Sequence, residues 1–181
     1  FNQTSGALSG AGSVSLGSAT LAAGANGAST TFSGSVSGTG ALTKQGGGTF
    51  TLTGANTHTG TTTVSTGTLA LGAGGTTGSV AGNIAIASGA TLAVNRSDSL
   101  TLANTFSGTG TLTKQSTNTL TLTANNPFTG LTTISAGTLA LGAGGTSGSL
   151  AGNVSVAFGS TLAVNRSDSL TLAQSLSGNG A

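Results

Sequence analysis

Residues 38–111 lie over residues 108–181 without a gap at an offset of 70, and about two-thirds of the aligned positions are identical. Thr91–Ala103 and Thr161–Ala173 both read TLAVNRSDSLTLA. Self-similarity at a fixed period points to a stack of like units, each packed only on its neighbours. The N-terminal segment follows the same template with one gap, since AGSVSLGSATLA (Ala11–Ala22) aligns with AGNIAIASGATLA (Ala81–Ala93). The reading is one continuous β-solenoid over 1–181, divided into a partial repeat 1–37, repeats 38–107 and 108–177, and the start of another at 178–181.

Within a repeat the hydrophobic period is two. TFTLT (Thr49–Thr53), TLALG (Thr68–Gly72), NIAIA (Asn83–Ala87), TLAV (Thr91–Val94) and SLTLA (Ser99–Ala103) alternate apolar with small polar residues. Such runs form short strands with one buried face, and their Thr, Val and Ile suit a strand. Gly-rich turns such as GAGGTTGS separate them, and no segment has helical periodicity. The apolar pairs give the inner spacing. Leu69 and Leu71 return as Leu92 and Val94, Ile84 as Phe106, and Leu102 as Leu122. Coils of roughly 20–23 residues make about three per 70-residue repeat, the pattern of a parallel β-helix. A sandwich also uses short alternating strands. Its strands have distinct partners, which a gapless repeat does not favour.

Composition narrows the function. The 181 residues include 33 Gly and no Cys, Met, Trp or Tyr; only 3% are charged, for a net charge of +2. Disordered chains pair low hydrophobicity with high net charge; this chain has a mean hydropathy of +0.27. Its sequence pI near 10.0 reflects four bases against two acids rather than a basic face. With dispersed Lys and Arg and no Trp or Tyr, nucleic-acid binding is excluded. No apolar run reaches the roughly 20 residues of a membrane helix, so this segment does not insert in that way. The chain starts at Phe1 and stops at SLSGNGA, both in repeat-like sequence with no capping segment. That suggests a section of a longer protein, or a subunit that stacks end to end.

Ser37–Gly72, SGTGALTKQGGGTFTLTGANTHTGTTTVSTGTLALG, and Ser107–Gly142, SGTGTLTKQSTNTLTLTANNPFTGLTTISAGTLALG, resemble the autotransporter-associated strand repeat of Gram-negative passenger domains. Each covers about half of its unit. The resemblance implies a right-handed parallel β-helix, secreted by the type V route and displayed at the outer-membrane surface or released from it. Two departures stand out. The family's ring position, usually Tyr, holds His58 in one copy and Phe128 in the other. QGGG (Gln45–Gly48) becomes QSTN (Gln115–Asn118).

Few residues offer chemistry. His58 is the only histidine; with Phe128 in its place in the next copy, it reads as a ring packed at a corner rather than a catalytic base. One His and two dispersed Asp make no metal constellation, and no cofactor is implied. GAGGTTGS and GAGGTSGS lack the lysine of a phosphate loop. Polysaccharide-cleaving β-helices need carboxylates about 5–9.5 Å apart. Asp98 and Asp168, taken as three coils apart at about 4.8 Å per strand, would be separated by roughly 14 Å. Arg96 with Asp98, and Arg166 with Asp168, are expected to form structural ion pairs at a polar turn. Ice binding needs Thr-x-Thr on nearly every coil, whereas Thr clusters recur here about once per repeat. The expected function is a non-enzymatic structural or adhesive rod that associates with itself, laterally or end to end, or meets a cell-surface or matrix glycan or protein. Candidate contacts are the GAGG turns, His58, Phe128, Lys44 and Lys114.

Overall fold

The computed structural model describes all 181 residues and contains strands but no helix. Each strand is two to four residues long, and the strands pair only in parallel. Short strands follow from the sequence, because a glycine turn interrupts the alternation every few residues. Parallel pairing follows from winding, because each strand's partner is reached only after a full coil.

The chain visits three faces in strict rotation. The first face carries Leu21–Ala23, Leu42–Lys44, Thr62–Val64, Ile84–Ile86 and Phe106–Gly108. The second is an eight-stranded sheet from Thr30–Phe32 to Leu176–Gly178. The third is assembled from shorter sheets, among them Leu100–Leu102, Thr119–Leu122, Thr138–Leu141 and Thr161–Val164. The register matches the apolar spacings read from the sequence: Leu69 pairs with Leu92, Ile84 with Phe106, and Leu102 with Leu122.

Alternation places one row of every strand inside. On the second face Phe50, Leu69, Leu92, Leu112, Thr132 and Val154 stack in line, with Leu52, Leu71, Val94, Lys114, Ile134 and Val156 beside them. Twenty-nine buried apolar residues form one column from Leu16 to Val156. Burying a side chain of this size is worth about 1.5–3 kcal/mol relative to exposure, so the column is the main source of stability.

The repeat and the coil do not share a period. Three coils carry the chain from Phe50 to Leu112, and three more carry it from Leu112 to Leu176. Both intervals are shorter than the offset of 70 that relates Phe50 to Leu120. Each repeat therefore spans about three and one-third coils, and the second copy lies one face further round. Leu42–Lys44 lies on the first face and Thr111–Lys114 on the second; Thr68–Leu71 lies on the second and Thr138–Leu141 on the third. The separation expected for Asp98 and Asp168 assumed a single corner. The structure overturns it, because the two residues follow strands of different faces.

Candidate functional surfaces

Lys44 and Lys114, expected as surface contacts, lie inside the prism with 0% and 1% exposure. Parity explains the correction: Leu42 and Lys44 are two apart on one strand, so both point inward. Leu112 and Lys114 repeat the arrangement on the next face. An interior ammonium needs acceptors. Lys44 Nζ donates to the carbonyls of Gln45 and Gly46 at 2.7 Å each and of Thr66 at 3.2 Å. Lys114 Nζ donates to the Ser116 carbonyl, the Ala136 carbonyl at 3.2 Å and Asn118 Oδ1 at 3.4 Å. Burial lowers the pKa of both. Each lysine ties together the carbonyls of a corner, and neither reaches solvent.

His58 and Phe128, also expected as surface contacts, are 0% exposed. The ring position turns inward at the start of a corner, where either ring fills the same space. His58 Nε2 lies 2.8 Å from Thr62 Oγ1, and Nδ1 has no partner. Burial lowers its pKa, and the Val36 carbonyl opposes the shift. Neither Asp98 nor Asp168 bonds to the imidazole; their side-chain partners are Arg96 and Arg166. In the second copy Thr132 keeps the place of Thr62. Because Phe128 offers no partner, Thr132 Oγ1 is buried without one.

The arginines are clamps. Arg96 Nε donates to Asp98 Oδ1 at 2.9 Å and Nη2 to Oδ2 at 2.7 Å, a bidentate pair. The same guanidinium donates to the carbonyls of Thr76 and Gly78 on the preceding coil. Arg166 treats Asp168, Thr146 and Gly148 identically. Two backbone bonds complete each clamp, from Gly74 N to Asn95 O and from Ser97 N to Gly75 O in the first copy. The arginine side chains are 11% and 8% exposed, the aspartates 38% and 40%. The guanidinium holds each carboxyl below the ordinary 3.8. What protrudes is the loop so fastened, Ala73–Thr77, and its counterpart Ala143–Ser147.

Asn56, Asn126 and Asn104 had no assigned role in the sequence, and each bridges coils from inside. Asn56 Oδ1 accepts from Val36 N of the coil before, and its Nδ2 donates to Gly54 O and to Ser79 O of the coil after. Asn126 does the same between Phe106, Ala124 and Ser149. Asn104 Nδ2 meets the carbonyls of Val80, Ala81 and Gly82. Alternation was the available signal, since Asn56 and Asn126 recur at one place in both copies of the motif.

Both lysines are thus interior and both arginines are paired with the only two acids, so no charged side chain stands alone on the surface. The faces present hydroxyls and methyls. Thr49, Thr68, Thr91, Thr111 and the exposed Leu131 form one outward row on the second face, and Thr51, Ala70, the covered Ala93, Thr113, Thr133 and Ser155 the next.

Residues 42–71 and 112–141 each match the family model described as passenger-associated-transport-repeat. Over 70 residues, 39% of this chain, the sequence is 47% identical to the adhesin BmaC autotransporter of Brucella suis biovar 1 (strain 1330). The matched stretch spans 2% of that protein's length. No solved structure gives a significant match.

Proposed function

We propose, from a chain that carries two passenger-associated-transport repeats of autotransporter type, a non-enzymatic adhesive rod outside a Gram-negative cell. The observation that carries this reading is the fate of the charged side chains. Both lysines are consumed inside by corner oxygens, and both arginines are consumed by the two aspartates in ion pairs at the surface. Little is left for acid–base work at the surface, and rods can approach side by side without charge repulsion. The only imidazole is sealed inside with a threonine for partner. The adhesin relative supports attachment to cells or matrix as the outcome of that approach.

The mechanism is geometric. Backbone ladders and the apolar column make the rod stiff, and flat hydroxyl-bearing faces make many weak contacts that add by multiplicity. The purified chain, imaged by electron microscopy and tested for binding to bacteria, host cells and matrix, is the experiment. Laterally associated rods, or rods bound to one of those surfaces, are the expected result. Dispersed single rods that bind none of them overturn the proposal.

A further inference from the structure

The mismatch between repeat and coil has a functional consequence for any array of these units. We propose that the 70-residue repeat is a one-third-turn screw module, so that copy number sets both the reach of the rod and the direction in which its features point. At about 4.8 Å per coil, each copy adds about 16 Å along the axis. It also carries every feature to the next face. Equivalent strands follow this rule throughout the two copies. Thr49–Leu52 on the second face returns as Thr119–Leu122 on the third, and Ile84–Ile86 on the first as Val154–Val156 on the second. Ala55–Asn56 on the third returns as Asn125–Asn126 beside Phe106 on the first.

The exposed loops common to both copies are the clamped ones, Ala73–Thr77 and Ala143–Ser147. The first follows a second-face strand and the second follows a third-face strand, so they project from different corners. A fourth copy of the loop would return to the corner of the first, after ten coils and about 48 Å. A flat partner lying along one side therefore meets the loop once in three repeats. A partner that reads consecutive loops must follow a helical path round the rod. This geometry does not depend on the adhesive reading and would hold if the rod were only a spacer.

The chain has no cysteine, so paired spin labels can be placed freely. Ala73→Cys with Ser135→Cys labels one corner at an interval of three coils, since Ser135 follows Ile134 in the column that contains Leu71. Ala73→Cys with Ala143→Cys labels equivalent residues of the two repeats. Dipolar electron paramagnetic resonance should give the second pair the longer separation, by more than the fraction of a coil that divides them axially. Equal separations would overturn the proposal. In a second measurement, residues 72–141 are duplicated in tandem once and then twice, with labels kept on the first and last loops. One-step and two-step separations should exceed the axial rise alone, and the three-step separation should equal it. Separations that grow only by the axial rise at every step would overturn it as well.

Discussion

Thr62 and Thr132 occupy one place in two copies, yet their hydroxyls have different fates. Thr62 Oγ1 bonds to His58 Nε2; Thr132 Oγ1, with Phe128 in the place of the histidine, has no partner. Thr132→Val should therefore stabilise the chain, by about 1 kcal/mol, because it removes a buried unsatisfied hydroxyl. Thr62→Val should destabilise it by about 1–3 kcal/mol, because it leaves the imidazole nitrogen without a partner. Chemical denaturation midpoints of the two variants should move in opposite directions. His58 also ties stability to pH. Its folded pKa is lowered below the ordinary 6.5, chiefly by burial. The unfolded chain then takes up the proton first, so the contribution is full above 6.5 and is lost as pH falls toward the folded value. His58→Phe, the residue of the second copy, should flatten the decline of Tm below pH 6.5. At this scale the sequence was only half legible. Parity, the rule that placed the apolar rows, also buries Lys44 with Leu42 and Lys114 with Leu112. The expectation that a lysine belongs at the surface displaced it, because oxygens of two coils converging on an ammonium cannot be foreseen from the residues of one coil.

Corners are where the two repeats diverge, and the neighbouring coil decides how. A Cβ on Gly46 would lie 2.1 Å from Gly24 O, and one on Gly48 would lie 2.3 Å from Gly27 O. The Gly24–Gly27 turn below leaves no room for a side chain at Gly46 or Gly48, while Gly47 faces open space. Gln115–Asn118 stacks instead on the Asn95–Asp98 turn, where Asn118 Nδ2 donates to the carbonyls of Arg96 and Asp98. The change from QGGG to QSTN thus follows the turn beneath. Grafting Ser-Thr-Asn onto Gly46–Gly48 should cost about 3 kcal/mol through overpacking against backbone. Placing three glycines at Ser116–Asn118 should cost less, about 1–2 kcal/mol for the lost hydrogen bonds. Thermal unfolding of the two grafts should rank them in that order. Strands and coil spacing were legible because the period-two pattern and the Leu69–Leu92 interval depend on local alternation. Corner chemistry was not, because it depends on the turn one coil below, whose alignment varies along the stack.

At the scale of the molecule, an exterior whose charged side chains are all paired makes a prediction about salt. The association proposed for these rods should change little between about 50 mM and 1 M salt, since the charged side chains at the surface are already paired with one another. Lysines at Thr51, Thr113 and Thr133, on one outward row of the second face, should suppress lateral association at low salt and restore it at high salt. Light scattering on both proteins reads this directly, and equal association of the lysine variant at low salt would place the contacts elsewhere. The stack itself could be read from the repeat, but its phase could not. Coils differ in length, the one from Phe50 to Leu69 being shorter than the one from Leu69 to Leu92. The part-coil left over in each repeat is therefore invisible until the register is known.

That remainder has a mechanical meaning. Long corner loops such as Ala73–Thr77, if all stood along one edge of the prism, would favour bending of the rod toward one side. Shifting the loop by a third of a turn with each repeat spreads the imbalance over all three edges. Over ten coils the bends cancel, and stiffness becomes the same in every transverse direction. A filament of many such repeats should be straight.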